Sequence, residues 1–311
     1  MSRLKFDAVS SIQLSVAYEA FQVFNRNKNL RHATITSYEY RLMVLKAFLR
    51  ETKGKEDCFM DEIDEKWLSD YISWANKRGN KPISINNTLK NIRVFLSFAV
   101  DSKYISTMPK ITFLKVDMEY KEPYTQAEIL KLLKKPTRKY FPQYRTWSAI
   151  NFVMGTGCRA GTLVNIRIGD IDFQRQIVRY GHTKNRKYQV VPLPPQLIKV
   201  LREYLSIRKG KDDDYLFPNH SGQQWTVRAV TDALQEYNRS RGVEKTSVHL
   251  LRHTFATEYI KAGGSIVALE KQLGHSSLEM TKRYIAMSGI DLETFIDFNP
   301  LQILYQERIT M

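Results

Sequence analysis

Apolar residues recur every three to four positions through most of this chain, so the pattern predicts helices first. Residues 11–28 carry Leu14, Tyr18, Phe21, Val23 and Phe24 near helical spacing, and Asn25-Arg26-Asn27-Lys28-Asn29 closes the segment with turn-favouring polar residues. Residues 36–51 repeat the theme with Tyr38, Leu42, Leu45, Phe48 and Leu49. A third helix, with Asp64 as its cap, has Trp67, Leu68, Tyr71, Ile72 and Ala75 on its apolar face. Gly79-Asn80-Lys81-Pro82 breaks it. Ser84 is the expected cap of a fourth helix, with Leu89, Ile92, Phe95, Leu96 and Ala99 on its apolar side. These four predict a helical lobe over residues 1–110. Residues 111–124 have no clear period and read as a linker.

A second domain, 125–311, opens on Thr125-Gln126-Ala127-Glu128, a capping box followed by Ile129, Leu130, Leu132 and Leu133. An apolar helix over 146–154 runs into Gly155-Thr156-Gly157-Cys158-Arg159, and Leu163, Val164 and Ile166 fall on a further short helix. Arg159 therefore stands at a glycine-rich turn entering a helix, where a guanidinium and backbone N–H groups can face an anion. Taken alone it reads as a surface arginine beside a turn. Between 171 and 191 the period changes. Residues 177–180 and 188–192 are β-type runs flanking His182-Thr183-Lys184-Asn185-Arg186-Lys187, which predicts a small antiparallel sheet with Lys184 at or near its turn. Helices resume over 195–207 and 226–239, with Asp212-Asp213-Asp214 in a loop between them.

The stretch 249–284 gathers the unusual polar residues. His249 and Arg252 are three apart and would share one helix face, while Val248, Leu251, Phe255 and Tyr259 would bury the other. A helix over 265–273 would end at Gly274, as helices commonly do, with His275 next and Tyr284 nine residues on. The tail 296–311 keeps Phe298, Leu301, Ile303, Leu304 and Tyr305, too apolar for a solvated end, so it is expected to pack on something.

Composition narrows the partners. The chain has 311 residues, enough for two domains, and is 43% hydrophobic. No apolar run reaches the ~18–20 residues needed to span a membrane, and the N-terminus lacks a secretory pattern. Two distant cysteines argue against a disulfide framework and fit a reducing cytoplasm. The net charge is +16, and residues 1–110 already hold 18 Lys+Arg against 12 Asp+Glu, so both halves are basic. Nucleic acid is the leading partner, a solvated basic surface the plain alternative. On the fourth helix, Asn86, Asn87, Lys90 and Arg93 could lie along DNA phosphates or in a groove; a solvated face fits them equally.

Together Arg159, Lys184, His249, Arg252, His275 and Tyr284 suit phosphoryl transfer. A pentavalent phosphorus needs positive donors around its equatorial oxygens. A tyrosine is a nucleophile once helped to lose a proton of pKa ~10. A lysine can protonate a poor alkoxide leaving group. Fixed cations would make a metal unnecessary. A zinc helix through His249 and His253 is disfavoured, because Leu250 stands where the glutamate of His-Glu-x-x-His belongs.

At these residues the chain resembles the tyrosine recombinase (phage integrase) family. The resemblance rests on Thr156-Gly157-Cys158-Arg159, Thr183-Lys184, His249-Leu250-Leu251-Arg252-His253, Leu273-Gly274-His275 and Tyr284, in that order and spacing, and covers about residues 11–290. It implies a mainly α fold: an N-terminal helical, SAM-like core-binding domain, then a mixed α+β catalytic domain with a small antiparallel sheet. It implies that Tyr284 attacks the scissile phosphate to give a 3′-phosphotyrosine, that Arg159 and Arg252 clamp the non-bridging oxygens, and that Lys184 protonates the leaving 5′ oxygen. His249 would accept the proton of Tyr284, and His275 would hydrogen-bond the phosphate. No ATP or other cofactor would be needed. The partners implied are double-stranded DNA with specific sites and a homo-tetramer acting through a Holliday junction. The apolar tail would exchange between protomers, and there is a place for an accessory DNA-bending factor. Integration or excision of a mobile element and resolution of DNA multimers both fit. A type IB topoisomerase-like enzyme and a non-catalytic DNA-binding protein of the same fold are the alternatives. One departure stands out: Thr162 occupies the position, three after Arg159, where the family usually has glutamate. The chain also starts almost directly with the core-binding lobe, so an Xer-like or transposon-type recombinase without an arm-binding domain is expected.

Overall fold

Four helices follow one another in the first part of the chain: α1 (Leu14–Asn27), α2 (His32–Lys53), α3 (Glu65–Lys77) and α4 (Pro82–Asp101). The computed structural model describes residues 12–116, 122–137, 140–181 and 188–274. It divides into two units, Met1–Glu119 and Tyr120–Met311.

The first unit is held by an aromatic core. Tyr18, Phe21, Phe48, Trp67, Tyr71 and Phe95 are buried with Leu14, Leu49, Leu89 and Leu96. Phe48 meets Trp67 edge to face with ring centroids 4.9 Å apart, a geometry that suits the ring quadrupoles. Burying each such side chain is worth about 1.5–3 kcal/mol, which sets the amphipathic helices against one another. Asp64 caps α3 as its position predicts, accepting from the Trp67 N–H at 2.7 Å. Ser84 does not cap α4. The helix begins at Pro82, and Ser84 lies in its first turn, where its carbonyl accepts from the Thr88 hydroxyl. Proline at the first helical position has its φ already set and no N–H to leave unpaired, so the helix starts three residues earlier than a Ser84 cap would set it. The segment after α4 turns back onto this unit. Ile111 and Leu114 pack against its core, and the Asn86 amide brackets the Leu114 peptide with bonds of 2.8 and 2.9 Å.

The second unit is built around one helix. It comprises α5 (Gln126–Leu133), α6 (Phe141–Thr156), the short α7 (Ala160–Leu163), β1 (Ile171–Asp172), β2 (Ile177–Tyr180), β3 (Gln189–Pro192), α8 (Pro195–Arg208), α9 (Val227–Arg239), α10 (Val248–Lys261) and α11 (Ile266–Leu273). The Thr125–Glu128 capping box opens α5. Helix α6 is buried on nearly every side by α5, α8, α9 and α10, and its buried Ser148 and Thr156 hydroxyls are satisfied by donating to the Tyr144 and Phe152 carbonyls of the same helix. Its one buried cation, Arg145, lies over the Trp225 ring at 4.0 Å and donates to the Pro218 carbonyl. Helix α7 stops at Leu163, so Ile166 lies beyond it rather than on it.

The three strands form an antiparallel sheet in the order β1-β2-β3. Tyr180 pairs with Gln189, so these two residues bracket the basic stretch 182–187. Val178 and Tyr180 point inward from β2, in the alternation a half-buried strand requires.

Candidate active site

Arg159 is aimed by the turn between α6 and α7. Gly157 ends α6 with φ +66°, and a Cβ there would come within 2.5 Å of the Phe255 ring and 2.8 Å of Leu273. Only glycine meets both demands. Arg159 then occupies the N-cap position of α7, half-buried, with its guanidinium donating to the carbonyls of Leu273 at 3.1 Å and Gly274 at 3.3 Å. Thr162 is buried on α7, and its backbone N–H donates to the Arg159 carbonyl.

Arg252 comes from α10, which Ser247 caps. His249 and Arg252 lie three apart on α10, as their spacing predicts, but their burial differs. His249 is exposed, whereas Arg252 is only 5% exposed. Helix α10 is packed by α6 on one side and α11 on another, so the burial it meets is wider than one stripe. The guanidinium is stabilised there by donating to the Gly157 carbonyl at 2.7 Å and the Leu273 carbonyl at 2.8 Å. Burying a cation is costly unless such bonds are made.

The Leu273 carbonyl therefore accepts from both arginines. It lies at the carboxyl end of α11, which Gly274 terminates at φ +58°. The last carbonyls of a helix lack partners within it and carry the negative end of its dipole. Here each finds one. Gly274 N–H returns to Lys271, Leu273 and Gly274 take the arginines, and the Gln189 amide donates to Lys271 at 2.9 Å and Gln272 at 2.6 Å. Sequence reasoning passed over Gln189; its only signal is a polar residue within a β-type run, two residues after the basic stretch. Gln272 in turn donates to the Thr156 carbonyl. One helix end thus ties together the α6–α7 turn, α10 and β3.

Burial removes two nearby groups from the chemistry. The Cys158 thiol, next to Arg159, is pushed up to about 12, and the Tyr180 hydroxyl is pushed well above its usual range. Both are buried out of reach of a substrate, and the same burial disfavours the charged form each would need as a nucleophile. Burial also lowers the His253 imidazole below its ordinary value, and its ring nitrogen lies 3.4 Å from the Thr257 hydroxyl.

Arg159, His249 and Arg252 thus lie within the described residues, with the two arginines brought together. Lys184, His275, Tyr284 and the tail 296–311 lie outside them. In the first unit, Asn87, Lys90 and Arg93 are exposed along α4, while Asn86 is engaged with Leu114.

The comparisons with known proteins cover both units. A model described as the phage integrase family matches residues 124–289, and one described as a phage integrase SAM-like domain matches residues 17–115. The tyrosine recombinase XerD of Staphylococcus haemolyticus (strain JCSC1435) is 25% identical over 296 residues, covering 92% of this chain and 99% of that protein. Two solved structures share the fold. The Tn1549 transposon integrase in complex with a circular intermediate DNA has a TM-score of 0.68 at 20% identity, over 86% of this chain and 94% of that one. A lambda integrase tetramer bound to a Holliday junction has a TM-score of 0.71 at 16% identity, over 91% and 80%. With the catalytic-domain model spanning more than half of its length and the SAM-like model spanning its first unit, this chain belongs to the phage integrase family.

Proposed function

We propose that this protein is a site-specific DNA recombinase that cuts and rejoins DNA through a 3′-phosphotyrosine intermediate. The observation that carries this reading is the convergence of Arg159 and Arg252 on the Leu273 carbonyl. Two fixed guanidiniums side by side, drawn from separate elements, form a preorganised clamp for a phosphodiester whose charge grows in the transition state. The Tyr284 oxygen forms the new bond to phosphorus as the bond to the 5′ oxygen breaks. The proton of Tyr284 passes to His249, and Lys184 supplies one to the departing 5′ hydroxyl. His275 hydrogen-bonds the phosphate. Because the phosphotyrosine keeps the bond energy, a 5′ hydroxyl from another strand can reverse the step without ATP.

The second unit carries this chemistry, and the first binds the DNA beside the cut. The exposed Asn87, Lys90 and Arg93 support phosphate and groove contacts from α4. Asn86 belongs to that helix but serves to hold Leu114. Four protomers act on two synapsed sites, with the 296–311 tail docking on a neighbour and an accessory protein bending the DNA. No helix among the described residues is long and apolar enough to cross a membrane, and the cytoplasm is the compartment proposed.

The test uses a pool of nicked duplexes of randomised sequence, from which covalently held DNA is recovered after denaturation and sequenced. Wild-type protein is expected to yield adducts on a shared sequence. Tyr284→Phe is expected to bind that sequence and form none. Adducts persisting in Tyr284→Phe would sink the nucleophile assignment.

A further inference from the structure

Gln189 is the first residue of β3 and stands two residues after the basic stretch 182–187 that contains Lys184. Its side-chain nitrogen places both hydrogens on α11, at the Lys271 and Gln272 carbonyls. The next two carbonyls along, Leu273 and Gly274, are those that receive Arg159 and Arg252. A Cβ added to Gly274 would come within 3.0 Å of the Gln189 side-chain oxygen, so the glycine leaves room for the amide beside the helix end. We propose that Gln189 is a positioning residue for cleavage. It fixes the last turn of α11 against β3, so that the carbonyls holding the arginine pair and the strand leading from Lys184 keep one register.

This inference rests on the recombinase reading and says how its arginines are held. The physical argument is economy of donors. Carbonyl oxygens crowd together at a helix end and repel one another unless donors lie between them. The arginines cannot serve all of them and still present N–H groups to a phosphate. Gln189 takes two carbonyls and carries no charge, so it neither competes for the phosphate nor draws the guanidiniums aside. A glutamate there would be isosteric and, when ionised, would present only acceptors to acceptors.

The experiment measures single-turnover adduct formation by the full chain on a nicked duplex carrying the sequence recovered above. Half-saturating DNA concentration and melting temperature are measured alongside. Gln189→Ala is expected to cleave about tenfold to a hundredfold more slowly, because a displacement of about 1 Å at a reacting group costs that much. Its half-saturating DNA concentration should stay within about twofold. Gln189→Glu should be slower than Gln189→Ala at alkaline pH and regain rate as pH falls, since the protonated carboxyl again donates; wild type should show no such gain. Arg252→Ala is the control. If Gln189→Ala cleaves at the wild-type rate while Arg252→Ala is inactive, the positioning role is wrong and the recombinase reading stands. If both cleave normally, Arg252 is no part of the clamp and the positioning role fails with it; if wild type itself forms no adduct, the recombinase reading fails. A fall in rate matched by an equal loss of DNA affinity and a lowered melting temperature, with no pH recovery in Gln189→Glu, would make Gln189 merely structural and overturn the proposal.

Discussion

Replacing Arg252 by lysine keeps the charge and removes the fork. The guanidinium reaches two elements at once, with one nitrogen 2.7 Å from the Gly157 carbonyl and the other 2.8 Å from that of Leu273. An ammonium is a single point on a flexible stem and cannot serve both from the place where the fork sits. Hydrogen bonds to charged groups net about 1.5–3 kcal/mol each, so losing one costs about 2 kcal/mol. For a unit of this size, each kcal/mol is worth about 2–4 °C, which predicts a melting point about 4–8 °C lower. Loss of the planar contact to phosphate adds a rate effect of about 10²–10³, as for the removal of one preorganised donor. Calorimetry on the full chain reads the first quantity, and single-turnover adduct formation on a nicked duplex reads the second. Cleavage within threefold of wild type together with an unchanged melting point would refute the claim that the fork is what both site and fold require.

Gly157→Ala should destabilise the second unit by about 2–5 kcal/mol, combining the left-handed backbone, at about 1–2 kcal/mol, with overpacking against Phe255, at about 1–3 kcal/mol. Urea unfolding measures it, and a loss below about 0.5 kcal/mol would show the turn to be less constrained than drawn. The His253 imidazole is held below its ordinary value of 6.5 by burial, so it favours folding in its neutral form. Its contribution is complete above about pH 6.5 and is lost as pH falls through the lowered value. His253→Gln should flatten the decline of stability on acidification, and an unaltered slope would remove His253 as its source. Both thiols are pushed up to about 12 by burial, so iodoacetamide at pH 8 should label neither Cys58 nor Cys158 in native protein and both in denaturant, read by mass spectrometry.

What the sequence determined by itself is mostly local. Apolar spacing places all four helices of the first unit, and short-range caps such as Asp64 and the Thr125–Glu128 box mark their starts. The period change at 171–191 marks the sheet, and the motif residues mark the family. Local signals in competition are decided less well. Ser84 and Pro82 both qualify as helix starts, and the rigid proline prevails. The tertiary structure alone decided how the site is held. Arg159 lies 114 residues from the carbonyl it shares with Arg252, and Gln189 lies 82 residues before Lys271. Such contacts leave no period, because they depend on where one helix happens to end beside another. Asn86 makes the same point: its exposed neighbours suggest a DNA contact, yet its amide is engaged by a peptide 28 residues away. Spacing could put His249 and Arg252 on one face of α10, but only packing against α6 and α11 decided that one would be exposed and the other buried. Burial depends on what surrounds a helix, and a sequence read locally carries only the helix.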